Sequence, residues 1–225
     1  MSYSKIYENI AVKVKCIEEE GSGVLFKVPS QEYTYIFTAK HCLEGTSEQP
    51  QEFEKSDIIV SRLEDGEWKN IEVLDYKVHD KADLALIVVK NLENIEEILL
   101  AEKSYREGVT VYGFPEHAKD RKNPAESFDA VLTKEQGNII ELKTKNDLST
   151  FNHGAAKYLP GFSGSGIFVE TMDRRIALVG IFTEIKDRQV AYRSTIGESI
   201  EQFNELLLES QYQLLPMLKP DYILK

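Results

Sequence analysis

Short runs rich in valine, isoleucine, tyrosine and phenylalanine fill most of the first 195 residues, and polar turn segments separate them. Such residues favour strands, and runs of this length and spacing are typical of antiparallel barrels or sandwiches rather than of alternating βαβ units. About six predicted strands fall on each side of a more helical segment at 91–103. They are 11–17, 23–28, 33–39, 57–63, 70–78, 84–89, 108–114, 128–133, 138–144, 166–170, 176–185 and 190–195.

The pattern changes after residue 195. In the segment GESIEQFNELLLESQ, Ile200, Phe203 and Leu207 recur at helical spacing, and Ile196 extends this apolar stripe backward. We therefore expect one amphipathic helix that packs on a barrel. The expected organisation is a barrel over 1–93, a second barrel over 94–195, and a C-terminal helix and tail over 196–225, forming one unit.

Composition and charge narrow the class of protein. The chain has 225 residues, of which 42% are apolar and 29% charged, as in an ordinary globular protein. A net charge of −11 without a Lys/Arg cluster argues against nucleic acid and membranes as partners. The N-terminus lacks the apolar core of a signal peptide, so we expect a cytoplasmic protein. Its two cysteines are then expected to be reduced, and no metal or other cofactor is predicted.

Four histidines are candidates for acid–base chemistry. His117 lies in a charged loop, His79 ends a strand beside Asp80, and His153 shortly precedes a glycine-rich turn. His41 ends a predicted strand in TAKHC, where a strand-to-helix corner would hold the imidazole rigidly. A purely structural role also fits a histidine at a strand end.

A base histidine needs a carboxylate that fixes its tautomer and stabilises the imidazolium. Asp83 stands immediately before the apolar run LALIVV, at the start of a predicted buried strand. A carboxylate there needs a hydrogen-bonding partner, because burial alone would raise its pKa. A strand-capping aspartate in water is the alternative, and Asp75 and Asp80 are competitors that lie among polar neighbours.

The segment LPGFSGSGIF at 159–168 places three glycines and two serines before a strand. A flexible turn would explain the composition. A turn that presents a serine nucleophile and directs backbone N–H groups at an oxyanion would also need glycine. At this point Ser163 and Ser165 are both candidates.

Taken in order, these segments resemble the trypsin/chymotrypsin superfamily, in particular its Deg-type and intracellular bacterial branches. TAKHC resembles TAAHC, DLAL resembles DLAVL, and GFSGSG resembles G-D/N-S-G-G-P. GSGVLF, REGVTVYGFP and LVGIFT match three of its strands, and the resemblance spans roughly residues 10–205. It implies a chymotrypsin-like fold, all-β, with two six-stranded antiparallel β-barrels and a C-terminal α-helix.

The resemblance also implies a role for each matched residue. Ser163 would be the nucleophile, His41 the general base and Asp83 the carboxylate that orients it. The N–H groups of Gly161 and Ser163 would form the oxyanion hole. The α/β-hydrolase pattern G-x-S-x-G does not fit, since Ser165 occupies its last glycine.

Four residues are expected by the same matching to line the primary substrate pocket. They are Lys157, Thr183, Glu184 and Ile185. A lysine facing that pocket would favour an acidic side chain before the cut bond, whereas a solvated surface lysine is the alternative. Thr183 also matches the position that supports the carboxylate of the triad.

The chain departs from the pattern of secreted members at three places. Cys42 corresponds to half of their disulfide, but the partner position is Gly21, so no bridge is expected. Phe162 replaces the aspartate that pairs with a newly cut N-terminus, so we expect no zymogen switch and a loop anchored by a buried ring. Ser165-Gly166 replaces the usual Gly-Pro.

The function implied is an intracellular serine endopeptidase that cuts a protein or peptide substrate through an acyl-enzyme. Such an enzyme must be highly selective, latent or activated by a regulatory protein partner, and it would suit a bacterial stress or anti-phage system. The alternative is a non-catalytic binding module that uses the same cleft to recognise peptides.

Overall fold

The computed structural model describes residues 3–29, 31–46, 49–102, 108–145, 160–185, 194–210 and 212–219. Strands predominate, in agreement with the β-rich pattern of the sequence. The strands are β1 (Ala11–Cys16), β2 (Glu19–Lys27), β3 (Tyr33–Thr38), β4 (Gly45–Thr46), β5 (Gln49–Pro50), β6 (Ile58–Glu64), β7 (Glu67–Ile71), β8 (Val73–Val78), β9 (Ala85–Lys90), β10 (Leu99–Leu100), β11 (Gly108–Gly113), β12 (Glu126–Gln136), β13 (Ile139–Thr144), β14 (Gly166–Glu170), β15 (Ile176–Ile185) and β16 (Ser194–Ser199). The α-helices are α1 (Tyr3–Ile10), α2 (His41–Glu44) and α3 (Phe203–Glu209).

The first barrel is a seven-stranded antiparallel sheet in the order β7-β6-β1-β2-β3-β9-β8. Only Glu72 separates the end of β7 from the start of β8, although these strands lie at opposite edges of the sheet. The sheet must therefore curl until its two edges meet. The single strand predicted over 70–78 corresponds to this bent pair, which completes a six-membered barrel.

The second barrel closes through hydrogen bonds. Its sheet has the order β10-β15-β14-β11-β12-β13-β16, and β15 also pairs with β16. The antiparallel strands β11 to β16 thus form a ring, while the short β10 lies parallel to β15 outside it. The predicted chymotrypsin-like double barrel is confirmed.

The C-terminal helix is confirmed, and it begins later than its apolar stripe predicts. Ile196 lies in β16, paired with Glu141 and Glu184, and a 3-10 turn over Ile200–Gln202 precedes α3. Phe203 is buried, with its ring centroid 4.5 Å from that of Phe37 in the first barrel. The helix therefore follows the second barrel along the chain but packs against the first.

Two further local predictions differ from the structure. The described part of the segment 91–103 contains no helix and instead forms β10, since pairing with β15 outweighs the local propensity. The helix α1 was not predicted. It is held by its tertiary contacts: Tyr7 stacks on Tyr112, and the Asn9 side chain bonds to Asn94 O and Glu96 N.

Candidate active site

His41, Gly161 and Ser163 line one cleft of about 380 Å³, although they come from different barrels. The first barrel contributes His41 and Trp68. The second contributes Phe114 and residues of the loop at 160–165, which carries Ser163 and is called the serine loop. The rings of Trp68 and Phe114 meet edge to face with centroids 5.1 Å apart, and Trp68 is 41% exposed. The cleft therefore has an aromatic wall beside the serine.

Asp83 fixes both the backbone and the ring of His41. The strand β3 ends at Thr38, and α2 begins at His41 with its N–H donating to Asp83 Oδ1 at 2.9 Å. The other carboxylate oxygen lies 2.7 Å from Nδ1 of the imidazole. Partial burial opposes ionisation of Asp83, yet its hydrogen bonds with His41 hold its pKa below the usual range. One carboxylate oxygen thus holds the backbone of His41, and the other holds its ring.

His79 shapes the loop that carries Asp83. Its Nδ1 accepts hydrogen bonds from the N–H groups of Lys81 at 3.1 Å and Ala82 at 3.0 Å. Its carbonyl accepts a bond of 3.0 Å from the ammonium of Lys40, the residue before His41. The sequence identified His79 only as a residue at a strand end beside Asp80. The role of His79 as acceptor for two backbone N–H groups depends on a loop conformation for which the sequence offers no local signal.

Two glycines set the path of the serine loop. Gly161 has φ +88° and Gly164 has φ +83°, in the left-handed region that other residues rarely adopt. Pro160 followed by a glycine at positive φ is typical of a type II turn. The left-handed backbone therefore explains two of the three glycines in the segment 159–168. Ser163 follows this turn, and its hydroxyl donates to Thr183 O at 3.2 Å.

Burial distinguishes the two candidate serines. Ser165 is fully buried, and among the described residues its hydroxyl has no hydrogen-bond partner. That hydroxyl occupies the space where a Cβ at Gly113 would lie. Of the two serines, Ser163 is the one that lines the cleft.

The ring of Phe162 is fully buried, as predicted. It contacts Phe128 at a centroid distance of 5.3 Å and Phe182 at 6.5 Å, both nearly edge to face. Residues 161 and 163 therefore line the cleft while the residue between them points into the core of the second barrel.

Both cysteines are free and buried. The sulfur of Cys42 fills the space that a side chain at Gly21 would need, so the two positions face each other as the resemblance implies. Burial raises the pKa of Cys42 to about 12 and that of Cys16 to about 11. Both thiols are consequently protonated near neutral pH.

The structure locates the remaining predicted residues only in part. His153 and Lys157 lie outside the described residues, and Glu184 and Ile185 are described only as the backbone end of β15. The hydroxyl of Thr183 donates to Ile196 O at 3.3 Å, so its one proton is not directed at Asp83. His117 contacts Glu126 at 3.1 Å, in keeping with a surface role.

Comparison with known proteins agrees with the geometry. The family of trypsin-like peptidase domains matches residues 21–181. The inactive form of the Rv3671c protease is 12% identical, with a TM-score of 0.57, and the alignment covers 92% of this chain and 90% of that one. An inactive serine-to-alanine mutant of Rv3671c from M. tuberculosis H37Rv is 13% identical with a TM-score of 0.60, over 95% and 92% of the two chains.

These structural likenesses show the fold. No curated protein matches the chain in sequence. The Deg-type branch stays a prediction.

No helix among the described residues has the length and apolar character of a membrane-spanning segment.

Proposed function

Because the chain belongs to the trypsin-like peptidases, we propose that it is a serine endopeptidase with Ser163 as nucleophile, His41 as general base and Asp83 as orienting carboxylate. One observation carries the proposal. Ser163 shares a cleft with an imidazole whose Nδ1 lies 2.7 Å from a carboxylate oxygen. A histidine held in this way has one tautomer fixed, so its Nε2 is the atom that accepts the proton of the nucleophile.

The first half of the reaction forms an ester. The Ser163 hydroxyl turns from Thr183 O toward the imidazole and attacks the carbonyl carbon of the peptide, while its proton passes to His41 Nε2. Rotation about one side-chain bond is fast enough not to limit such a step. The imidazolium then gives this proton to the leaving amine. Asp83, held ionised by its hydrogen bonds, stabilises the positive ring.

The second half regenerates the enzyme. Water gives a proton to His41 and attacks the acyl ester, and the imidazolium returns that proton to Ser163 as the carboxylic acid leaves. The N–H groups of Gly161 and Ser163 would stabilise the oxyanion in both halves, each donor being worth roughly 10²–10³ in rate. The aromatic wall of Trp68 and Phe114 would contact the polypeptide beside the cut bond.

The proposal includes a cytoplasmic enzyme, and the two free thiols support it, because disulfides are rare in that compartment. A protein substrate and a regulatory protein partner belong to the same proposal, as does a role in bacterial stress or anti-phage defence. Lys157, Thr183, Glu184 and Ile185 stay the proposed lining of the primary pocket.

Labelling with a fluorophosphonate probe tests the chemistry, because the probe reacts only with an activated serine. We expect one adduct per chain by intact mass, mapped to Ser163. Ser163→Ala and His41→Ala should both abolish labelling and casein hydrolysis, a loss of order 10⁶ for residues that act as a unit. Ser165→Ala is the matched control and should keep both. A folded wild-type protein that takes up no probe would instead support a peptide-binding module.

A further inference from the structure

Ser22 in β2 is fully buried at the junction of the two barrels, and each of its polar groups has a partner. Its N–H donates to Ser163 O at 2.7 Å, and its hydroxyl donates to Gly161 O at 2.9 Å. The same hydroxyl accepts from Phe114 N at 2.8 Å, and the carbonyl of Ser22 accepts from the Thr38 hydroxyl at 2.7 Å. One residue of the first barrel thus holds two carbonyls of the serine loop.

These bonds complete a series along the loop. Pro160 O accepts from Glu116 N at 2.7 Å, and Phe162 O accepts from Ser165 N at 2.9 Å. Together with the two bonds from Ser22, they fix four successive carbonyls, from residue 160 to residue 163. Because a trans peptide group is planar, fixing its carbonyl also fixes the direction of the N–H on the other side. The N–H groups of Gly161 and Ser163 are therefore oriented by the bonds to Pro160 O and Phe162 O.

Ser22 holds the two peptide groups that alternate with these. The group between Gly161 and Phe162 links the two N–H donors, so a rotation there would turn one donor away from the other. The Ser22 hydroxyl opposes that rotation, and its N–H holds the group that follows Ser163. Ser22 therefore acts on the spacing of the donors without itself facing the cleft.

Contact between β2 and the loop is too close for intervening side chains. A Cβ at Gly164 would overlap Ser22 O, and one at Gly113 would approach the Ser22 hydroxyl at 2.6 Å. A Cβ at Gly161 would lie 2.6 Å from Phe114 O. Gly164 therefore has a second purpose besides its dihedral angles, since it lets the loop lie directly against Ser22, while Gly161 lets the loop lie against Phe114.

We propose that Ser22 is a positioning residue that holds the serine loop from the opposite barrel. This inference rests on the proposed protease function and adds how its oxyanion hole is kept in order. The bonds of Ser22 to the loop all lie within the folded chain and involve no residue near the N-terminus. Catalytic competence then depends on the correct docking of the two barrels, because that docking brings Ser22 to the loop.

The experiment compares three substitutions in the full chain. Ser22→Ala removes the hydroxyl and should slow fluorophosphonate labelling of Ser163 by 10- to 100-fold and lower kcat for casein by a similar factor, with KM changed less than twofold. Thr38→Val removes the hydroxyl that donates to Ser22 O and so acts one hydrogen bond further from the serine loop. It should slow labelling and lower kcat by a smaller factor. Ser199→Ala is the matched control, since it removes another fully buried serine hydroxyl, one that accepts from Glu201 N at 3.3 Å, and it should leave labelling unchanged.

Hydrogen exchange of the amides of residues 161–165 gives a readout that does not need catalysis. Exchange should become faster in Ser22→Ala and stay at the wild-type rate in Ser199→Ala. If the wild type takes up no probe, the protease function fails and exchange alone decides the role of Ser22. Unchanged exchange, or unchanged labelling of Ser163 in a folded Ser22→Ala protein, would overturn the inference. If Ser22→Ala does not fold, Thr38→Val is judged by the same two measurements.

Discussion

The two halves of the candidate site are held in different ways. In the first barrel, His41 and Asp83 contact each other directly through two hydrogen bonds, and each follows or precedes a buried strand. In the second barrel, Ser163 depends on backbone geometry: two glycines at positive φ, one buried phenylalanine and carbonyls fixed by Ser22 from the other barrel. The first half is built on a pair of side chains, whereas the second is a loop whose backbone conformation is fixed by its surroundings.

This difference separates chemistry from placement. A pair that relies on its own side chains is damaged by changing those side chains and little else. A shaped backbone is damaged by changes to residues that never touch a substrate, because its geometry is imposed by packing. Substitutions in the two halves should therefore differ in whether the loss of activity is accompanied by a loss of stability.

The largest effect that tests the first half is expected for Asp83→Asn. An amide can keep the contacts with His41 but favours the wrong tautomer of the ring, so kcat for casein should fall about 10⁴-fold, with a loss of stability smaller than that caused by removing a buried ring. Asp80→Asn is the matched control on the same loop and should retain wild-type kcat. A drop of less than tenfold in Asp83→Asn would show that the carboxylate does not orient the base.

The pH dependence of stability gives the same pair a second test. The pKa of Asp83 is lowered in the folded protein from its ordinary value of 3.8. The carboxylate therefore contributes its full stabilisation above about pH 4, and the contribution is lost as the pH falls through the lowered pKa. Denaturant unfolding between pH 2 and 6 should show a smaller acid-side loss in Asp83→Asn than in the wild type.

A smaller effect, on both activity and stability, is expected in the second half for Phe162→Ala. Removing a fully buried ring should cost about 3–5 kcal/mol in the free energy of unfolding. Because the residue lies between the two proposed oxyanion donors, probe labelling of Ser163 should also slow at temperatures where the variant is folded. Phe128→Ala removes a ring from the same cluster and should lose similar stability with normal labelling. Equal labelling in the two variants would contradict a role for Phe162 in loop order.

The smallest effect should be a gain. Ser165→Ala removes a buried hydroxyl that has no hydrogen-bond partner among the described residues, so stability should rise by about 1 kcal/mol. Labelling of Ser163 should stay at the wild-type rate. A loss of stability in Ser165→Ala would contradict the absence of a hydrogen-bond partner for this hydroxyl.

Much of the fold and of the first half-site could be predicted because the signals are local. Most of the β-rich runs match strands to within a few residues, although the run at 190–195 shares only two residues with β16 and that at 70–78 spans the end of β7 and all of β8. Asp83 was identified by its position before a buried run. The more helical pattern at 91–103 was misleading, because residues 99 and 100 pair with β15 and this pairing outweighs the local pattern. Ile196 fitted the helical stripe by coincidence of spacing and belongs to β16.

The rest of the site could not be predicted because it depends on long-range contacts. Ser22 was noticed only as part of GSGVLF, and its partners lie 92 and 139 positions away along the chain. The role of His79 requires a loop that folds back on its imidazole. Nothing in either neighbourhood distinguishes these residues from ordinary turn and strand residues.

Gly21 shows in physical terms what a disulfide to Cys42 would require. A Cβ at this position would lie 3.4 Å from the Cβ of Cys42, close to the separation within a disulfide. It would also lie only 2.7 Å from the carbonyl oxygen of Ser163. A cysteine introduced here would therefore meet the serine loop as well as Cys42, so forming the cross-link requires that loop to shift. At this one position, engineering a disulfide and repositioning Ser163 are a single design problem.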